Sequence, residues 1–376
     1  MPEGPVAAPV SVPGLTDHHA HLLRDAAGVA FPPTAAAVAS FHRQVAGLGR
    51  SPMDMLDTGP GLDEPGLPGR LLAGLARAAA AGLVEITEMG MRSWAYLDAL
   101  TELETIGPLP CRVRIYLASG LAEESSLAEL DARRAACGPW LRLDGVKFYA
   151  DGWLVPRTCA VCADFADTGG SGVLFTGAAG LARRITPLAG RGWRMATHAI
   201  GDRAVQTVLD AYELAFDGDL AAIAAAAPRI EHASLLSADL IARMAATGVV
   251  ACIQPSFALS DAGQLTPALG PARAGLAYPW TALAASGVPM LAGTDYPIEV
   301  LDPLPSLARL ARGRSDRTGF GTAGSAPERA RLPIEVAFAL MSDPDAGQTV
   351  LTADPRTAGP GELDLIEVLG TAPAPF

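Results

Sequence analysis

The chain has 376 residues, half of them hydrophobic and 18% charged. That excludes a disordered polypeptide and leaves room for a large core, in one big domain or two ordinary ones. Acidic residues outnumber basic ones by 40 to 28, for a net charge of −12, so a nucleic-acid-binding surface built on clustered cations is not expected.

In chain order, short apolar runs of β type fall at Val10–Thr16, Leu83–Thr87, Arg112–Ala118, Gly145–Tyr149, Arg194–Thr197, Arg229–Glu231, Val249–Ile253 and Pro289–Ala292. Segments with helical spacing alternate with them: Leu71–Ala81, Trp94–Thr105, Ser126–Ala136, Ala179–Ala189, Ala204–Ala227, Ala238–Thr247 and Trp280–Ala285, with Pro333–Met341 after the last strand. Glycines at 82, 107, 138, 248 and 287 follow several of these helices and suit their C-termini. Strict strand–helix alternation implies parallel strands, and eight such units predict an α/β fold of the (β/α)8 TIM-type barrel class. A doubly wound open sheet is the competitor, but no Gly-rich dinucleotide turn follows the first strand.

Three connections are long: Leu22 to Arg70, Gly152 to Gly177 and Ser256 to Pro279. All follow strands, on the side where a barrel places its catalytic mouth, and are expected to form substrate walls or lids. Gly313 to Arg331 reads as a mobile connection, and Gly359–Leu369 as a turn and a β-strand. The expected division is a short segment 1–11, a barrel over 12–345 and a C-terminal segment 346–376.

The five cysteines are an odd number spread over a long chain, unlike a secreted disulfide framework. Cys159 and Cys162 have CxxC spacing without a second pair and are not read as a site. Met1 to Pro13 shows no signal-peptide pattern, and no uncharged apolar run reaches membrane-span length, so a cytoplasmic protein without a membrane partner is expected.

Residues able to do chemistry gather at the ends of the strands. Asp17-His18-His19-Ala20-His21 closes the first, and residues i and i+2 of a strand share a face, so His19 and His21 look into one space while His18 points away. Two imidazoles so held suit a borderline metal such as Zn2+. Lys147, His198, His232 and Asp295 end the fourth, fifth, sixth and eighth runs, on the same rim. Lys147 is the single lysine among 28 basic residues, all others being arginine.

The stretches PGLTDHHAHL, GVKFYADG, THAIGDRAV, RIEHAS and GTDYP resemble the metal-dependent amidohydrolase superfamily, and within it the branch of YtcJ-like and N-substituted formamide deformylase-like proteins. The resemblance runs from about Val12 to Pro303 and resumes weakly from Pro360 to Val368. It implies a divalent-metal centre, Zn2+ in type, with two ions bridged by a carboxylated Lys147. His19 and His21 would bind the more buried ion, His198 and His232 the second. Asp295 would bind the first ion and act as general base. The implied function is hydrolysis of a non-peptide C–N bond in a small amide, formamide or cyclic amide by a metal-activated water. Arginine could not replace Lys147 there, because a guanidinium stays protonated and is no nucleophile toward CO2.

Other residues carry weaker expectations. Asp17 would orient a ligand imidazole. Trp153 and Arg157, after Lys147, would supply an apolar wall and an anion anchor for substrate. Asp202 and Arg203 would contact substrate or cap the next helix. Glu231 alternates with His232 along its strand and is expected to face the helix layer, Glu88 is a candidate pocket residue, and His42 lies in the first long loop. The flanking β-sandwich common in the family is expected to be reduced or absent, which leaves oligomer contacts open; a homo-oligomer is compatible with the chain. Two rival functions stay open: ester or lactone hydrolysis, or a lyase or isomerase reaction, at the same centre, and a non-catalytic binding relative. The complete ligand set stands against the last.

Overall fold

A computed structural model describes residues 8–28, 66–317, 325–359 and 361–376. Most of the first long connection, with His42, and part of the connection after Gly313 lie outside the described residues.

Ten strands form one sheet: β1 (Val10–Ala20), β2 (Leu83–Met91), β3 (Arg112–Ala118), β4 (Leu141–Tyr149), β5 (Arg194–Ala199), β6 (Arg229–His232), β7 (Val250–Ile253), β8 (Met290–Ala292), β9 (Ser342–Leu351) and β10 (Val368–Pro373). Strands β1 to β8 are parallel and neighbour one another in chain order. All eight expected strands are present. Every residue of β2 is buried, as in parallel sheets covered on both faces, which is why these strands read as apolar runs rather than as alternating patterns. Beyond β8 the chain returns to β1: Asp295 N donates to His19 O at 2.7 Å and His21 N donates to Tyr296 O at 2.7 Å.

Strand β9 pairs antiparallel with β1, from Val10 opposite Leu351 to Leu15 opposite Ser342, and β10 pairs antiparallel with β9. Strand β9 was not legible in the sequence. Ser342-Asp343-Pro344-Asp345 carries no apolar pattern, and its extended form is imposed by pairing with β1.

The helices are α1 (Leu22–Ala26), α2 (Leu67–Ala80), α3 (Trp94–Ile106), α4 (Ser119–Glu124), α5 (Leu127–Ala135), α6 (Ala178–Ala189), α7 (Asp202–Ala215), α8 (Leu220–Ala226), α9 (Ala238–Thr247), α10 (Phe257–Ser260), α11 (Ala262–Ala274), α12 (Trp280–Ala285), α13 (Pro303–Arg312) and α14 (Ile334–Ala339). Side-chain caps start several of them. Ser93 Oγ accepts from Ala95 N ahead of α3, Ser126 Oγ from Glu129 N ahead of α5, and Ser237 Oγ from Leu240 N ahead of α9. Gly248 ends α9 at φ 67°, a conformation that favours glycine. One expectation changes: the single helix expected over Ala204–Ala227 is two, because Asp217 and Gly218 take positive φ and Asp219 caps a new start. The long connection Ser256 to Pro279 contains α10 and α11. Among the described residues, no helix is long and apolar enough to cross a membrane.

Candidate active site

Parallel strands deliver their C-terminal residues to one rim, and register sets which side chains meet there. Lys147 lies opposite Ala196, Tyr149 opposite His198, and Ala199 opposite His232. His19, His21, Lys147, His198, His232 and Asp295 all line one cavity of about 330 Å3. Ring centroids are 5.5 Å apart for His19 and His21, 5.1 Å for His19 and His232, and 4.4 Å for His198 and His232. Asp295 Oδ1 stands 3.2 Å from His21 Nε2 and 3.4 Å from His19 Nε2, and these three side chains form a group of metal-holding geometry.

The hydrogen bonds behind the rings decide which nitrogens face the cavity. His19 Nδ1 lies 2.6 Å from Glu231 Oε2. Burial opposes the charge of Glu231, but Arg229 and Lys147 outweigh it and its pKa is lowered, so Glu231 is a carboxylate and only accepts. His19 therefore carries its proton on Nδ1 and presents the Nε2 lone pair to Asp295 and the cavity. His232 Nδ1 lies 2.7 Å from Gln254 Oε1, whose amide is oriented by Nε2 donating to Cys252 O at 3.2 Å. His232 Nε2 is the free lone pair by the same reasoning. Burial first, then neighbouring positive groups including Lys147, hold both rings well below the usual histidine pKa, so both stay neutral and able to coordinate.

Lys147 is fully buried, and among the described residues its Nζ has no hydrogen-bond partner. Burial lowers its pKa to about 8, so about a tenth of the amine is neutral at pH 7. A buried, unpartnered, part-neutral amine costs stability unless something else uses it.

Three positions at the site carry backbone strain. His232, Ala233 and Asp295 have φ of 76°, 43° and 59°, a region that non-glycine residues occupy at a cost of about 1–3 kcal/mol each. At His232 the consequence is direct, and it corrects an expectation. Glu231 does not face the helix layer; it is buried against His19 and Arg229. The positive φ of His232 turns its ring out of the strand's alternation, so Glu231 and His232 both serve the site.

Asp17 bonds the backbone and the Thr294 hydroxyl rather than an imidazole. Its Oδ1 accepts from His19 N and Thr294 N, each at 3.0 Å, and its Oδ2 from Thr294 Oγ1 at 2.5 Å, which ties β1 to the segment carrying Asp295. Burial pushes its pKa up to about 6 against these donors. Asp151, a residue the sequence did not single out, accepts from Ala160 N, Ile200 N and Gly201 N. It clamps the connections after β4 and β5 together. Close approach is needed at Gly293 as well: a Cβ there would collide with His19 N and reach 2.7 Å from His19 Cβ. Gly293→Ala should therefore displace His19 and destabilise the fold by about 1–3 kcal/mol, measured as a lowered denaturation midpoint together with weaker metal retention.

Of the residues expected near substrate, Trp153 lines the cavity. Arg157 is engaged elsewhere, its Nη2 donating to Asp167 Oδ2 at 2.7 Å and its Nη1 to Leu154 O and Val155 O. Asp202 Oδ1 accepts from Cys162 N and Arg203 N, and Arg203 donates to Ser171 O. Arg157, Asp202 and Arg203 brace the connections and are not among the residues lining the cavity. Glu88 caps the start of α1, accepting from Leu23 N at 2.9 Å. His18 lines a second cavity instead, and the five cysteines are unpaired. Phe257, Asp261 and Glu299 line the site without any motif in the sequence to mark them.

A family model described as the amidohydrolase family matches residues 43–353. The chain is 30% identical over 253 residues to the protein YtcJ of Bacillus subtilis (strain 168), covering 62% of this chain and 46% of that one. It is 32% identical over 172 residues to protein LONG AFTER FAR-RED 3 of Arabidopsis thaliana, covering 45% and 29%. The aligned chain thus spans less than half the length of these two relatives. In fold it is similar to an uncharacterized metal-dependent hydrolase from Pyrococcus furiosus, with a TM-score of 0.68 at 22% identity over 93% of this chain and 88% of that one.

Proposed function

The chain belongs to the amidohydrolase family, and from that premise we propose that it is a metal-dependent hydrolase cleaving a non-peptide C–N bond in a small molecule. The observation that carries this reading is the convergence of four neutralised or cavity-facing imidazoles, a buried amine and a carboxylate on one cavity. The return of the chain from β8 to β1 supports a closed (β/α)8 barrel around it.

The donor set fits a divalent metal. His19 and His232 present Nε2 lone pairs fixed by Glu231 and Gln254, and the orphaned Lys147 amine suits carboxylation. Its nitrogen adds to CO2, an N–C bond forms, a proton leaves to solvent, and the carbamate brings negative charge to the centre. His19, His21 and Asp295 would hold one Zn2+, His198 and His232 the other, with the Lys147 carbamate between. When bound, such ions lower the pKa of water toward neutrality and polarise a carbonyl. Asp295 supplies proton transfer: its carboxylate takes a proton from the attacking water and delivers it to the departing nitrogen, so that the C–N bond breaks to give an acid and an amine.

The walls describe the substrate. Trp153, Leu154, Val155, Ile200, Phe257 and Ile298 give the cavity an apolar lining, and among the described residues the charged groups lining it besides Lys147 are the acids Asp261, Asp295 and Glu299. Among the described residues, no arginine lines it. An uncharged or cationic amide with an apolar group suits this cavity, and a free carboxylate does not. In a panel of acyl and cyclic amides, chelator-sensitive hydrolysis is expected. A neutral amide should exceed its carboxylate-bearing partner by about tenfold or more in kcat/KM, with Glu299→Gln narrowing the gap. Hydrolysis indifferent to chelation would overturn the metal reading, and a preference for the anionic partner would overturn the substrate reading.

A further inference from the structure

The opposite end of the same strands carries a second cavity, of about 290 Å3, bordered by His18, Arg114, Arg142, Asp144, Arg194 and Arg229. Arg142, Arg194 and Arg229 sit at or near the starts of β4, β5 and β6, the strands whose other ends hold Lys147, His198 and His232. Four guanidiniums border this cavity with one carboxylate, Asp144, while Glu231 and Glu85 pair with Arg229 and Arg114 from behind.

The guanidiniums differ in what already holds them. Arg229 is committed to Glu231, at 2.7 and 3.1 Å, and to His18 O at 2.7 Å. Arg114 takes Glu85 at 2.9 Å and Asp144 at 2.8 Å. Among the described residues, the carboxylate that Arg142 and Arg194 reach is Asp144, at 3.4 and 3.6 Å, too long for a strong charge-assisted hydrogen bond. Asp144 is thus shared by three arginines and satisfies one. The ring of Phe376 lies over Arg114 and Arg142, 5.2 and 5.8 Å from their guanidinium carbons, and helps fix their planes.

We propose that this cavity binds a small oxyanion, held by the forked guanidiniums of Arg142 and Arg194 with Arg114 behind them. Planar forks of this kind match carboxylate and phosphate oxygens. Arg142 and Arg194 lie at the other end of the strands from the expected metal ligands, so the proposal stands or falls separately from the proposed hydrolysis.

Calorimetric titration of the purified protein with inorganic phosphate, and separately with acetate, at constant chloride-balanced ionic strength tests it. The tighter of the two identifies whether phosphoryl or carboxylate chemistry is preferred. Binding should weaken about tenfold or more in the double variant Arg142→Gln/Arg194→Gln, whose side chains are 51% and 45% exposed and leave the core untouched. It should survive Asp295→Asn, which alters only the upper cavity. Asp144→Asn, which removes the internal competitor, should tighten it. No binding of either anion at about 10 mM, a scale that would register any Kd below the millimolar range, would overturn the proposal. So would binding that the double arginine variant leaves intact or that Asp295→Asn abolishes.

Discussion

Lys147→Arg is expected to lose metal and activity together, with activity falling about 10^2- to 10^3-fold, the scale seen when a principal charge-stabilising group is removed. The substitution keeps a long cation but not the chemistry. The native amine is fully buried without a hydrogen-bond partner, and its pKa is lowered to about 8 by burial, which makes the neutral form available to CO2. A guanidinium stays protonated and cannot form the carbamate, and it would place a permanent positive charge among four imidazoles. Lys147→Ala leaves space instead, and added short carboxylic acids are expected to restore part of the metal content and the rate. Metal analysis and kinetics with and without acetate check both arms. Full activity in Lys147→Arg would remove the bridging role.

Glu231→Gln should damage both stability and metal retention. Glu231 accepts from Arg229 through both oxygens and from His19 Nδ1. An amide offers only one acceptor, leaves the buried guanidinium without its counter-charge, and frees His19 to change tautomer. Breaking a buried pair from one side costs about 3–5 kcal/mol, and losing the group that orients a ligand imidazole costs about 10–100-fold in metal affinity. Denaturant unfolding and competition with a chelator measure the two effects. Arg229→Gln/Glu231→Gln, which removes both charges, should recover stability but not metal affinity, separating the structural role from the orienting one.

The parallel sheet was legible because strands buried on both faces must be written as apolar runs between helices. The six converging residues were legible because each ends a run, and parallel strands end on one side. What escaped the sequence depended on tertiary contacts. Strand β9 is extended by its pairing with β1, not by its residues. Gln254, which fixes His232, and Asp151, which clamps two connections, form their bonds across elements far apart in the chain. Glu231 was misplaced by strict alternation, which fails where His232 takes φ 76°. Arg157 looked like an anion anchor, but its pairing with Asp167 depends on how the connection after β4 folds back on itself.

The proposed dinuclear metal centre built on Lys147 is tested most directly by a crystal structure of the purified protein with anomalous maps recorded at the zinc edge. Two peaks about 3.5–4 Å apart are predicted, one beside His19 and His21 and one beside His198 and His232, with density for a carboxyl group extending from Lys147 Nζ. Metal-replete crystals with no peak among these residues, or with peaks beside an unmodified lysine, would contradict it.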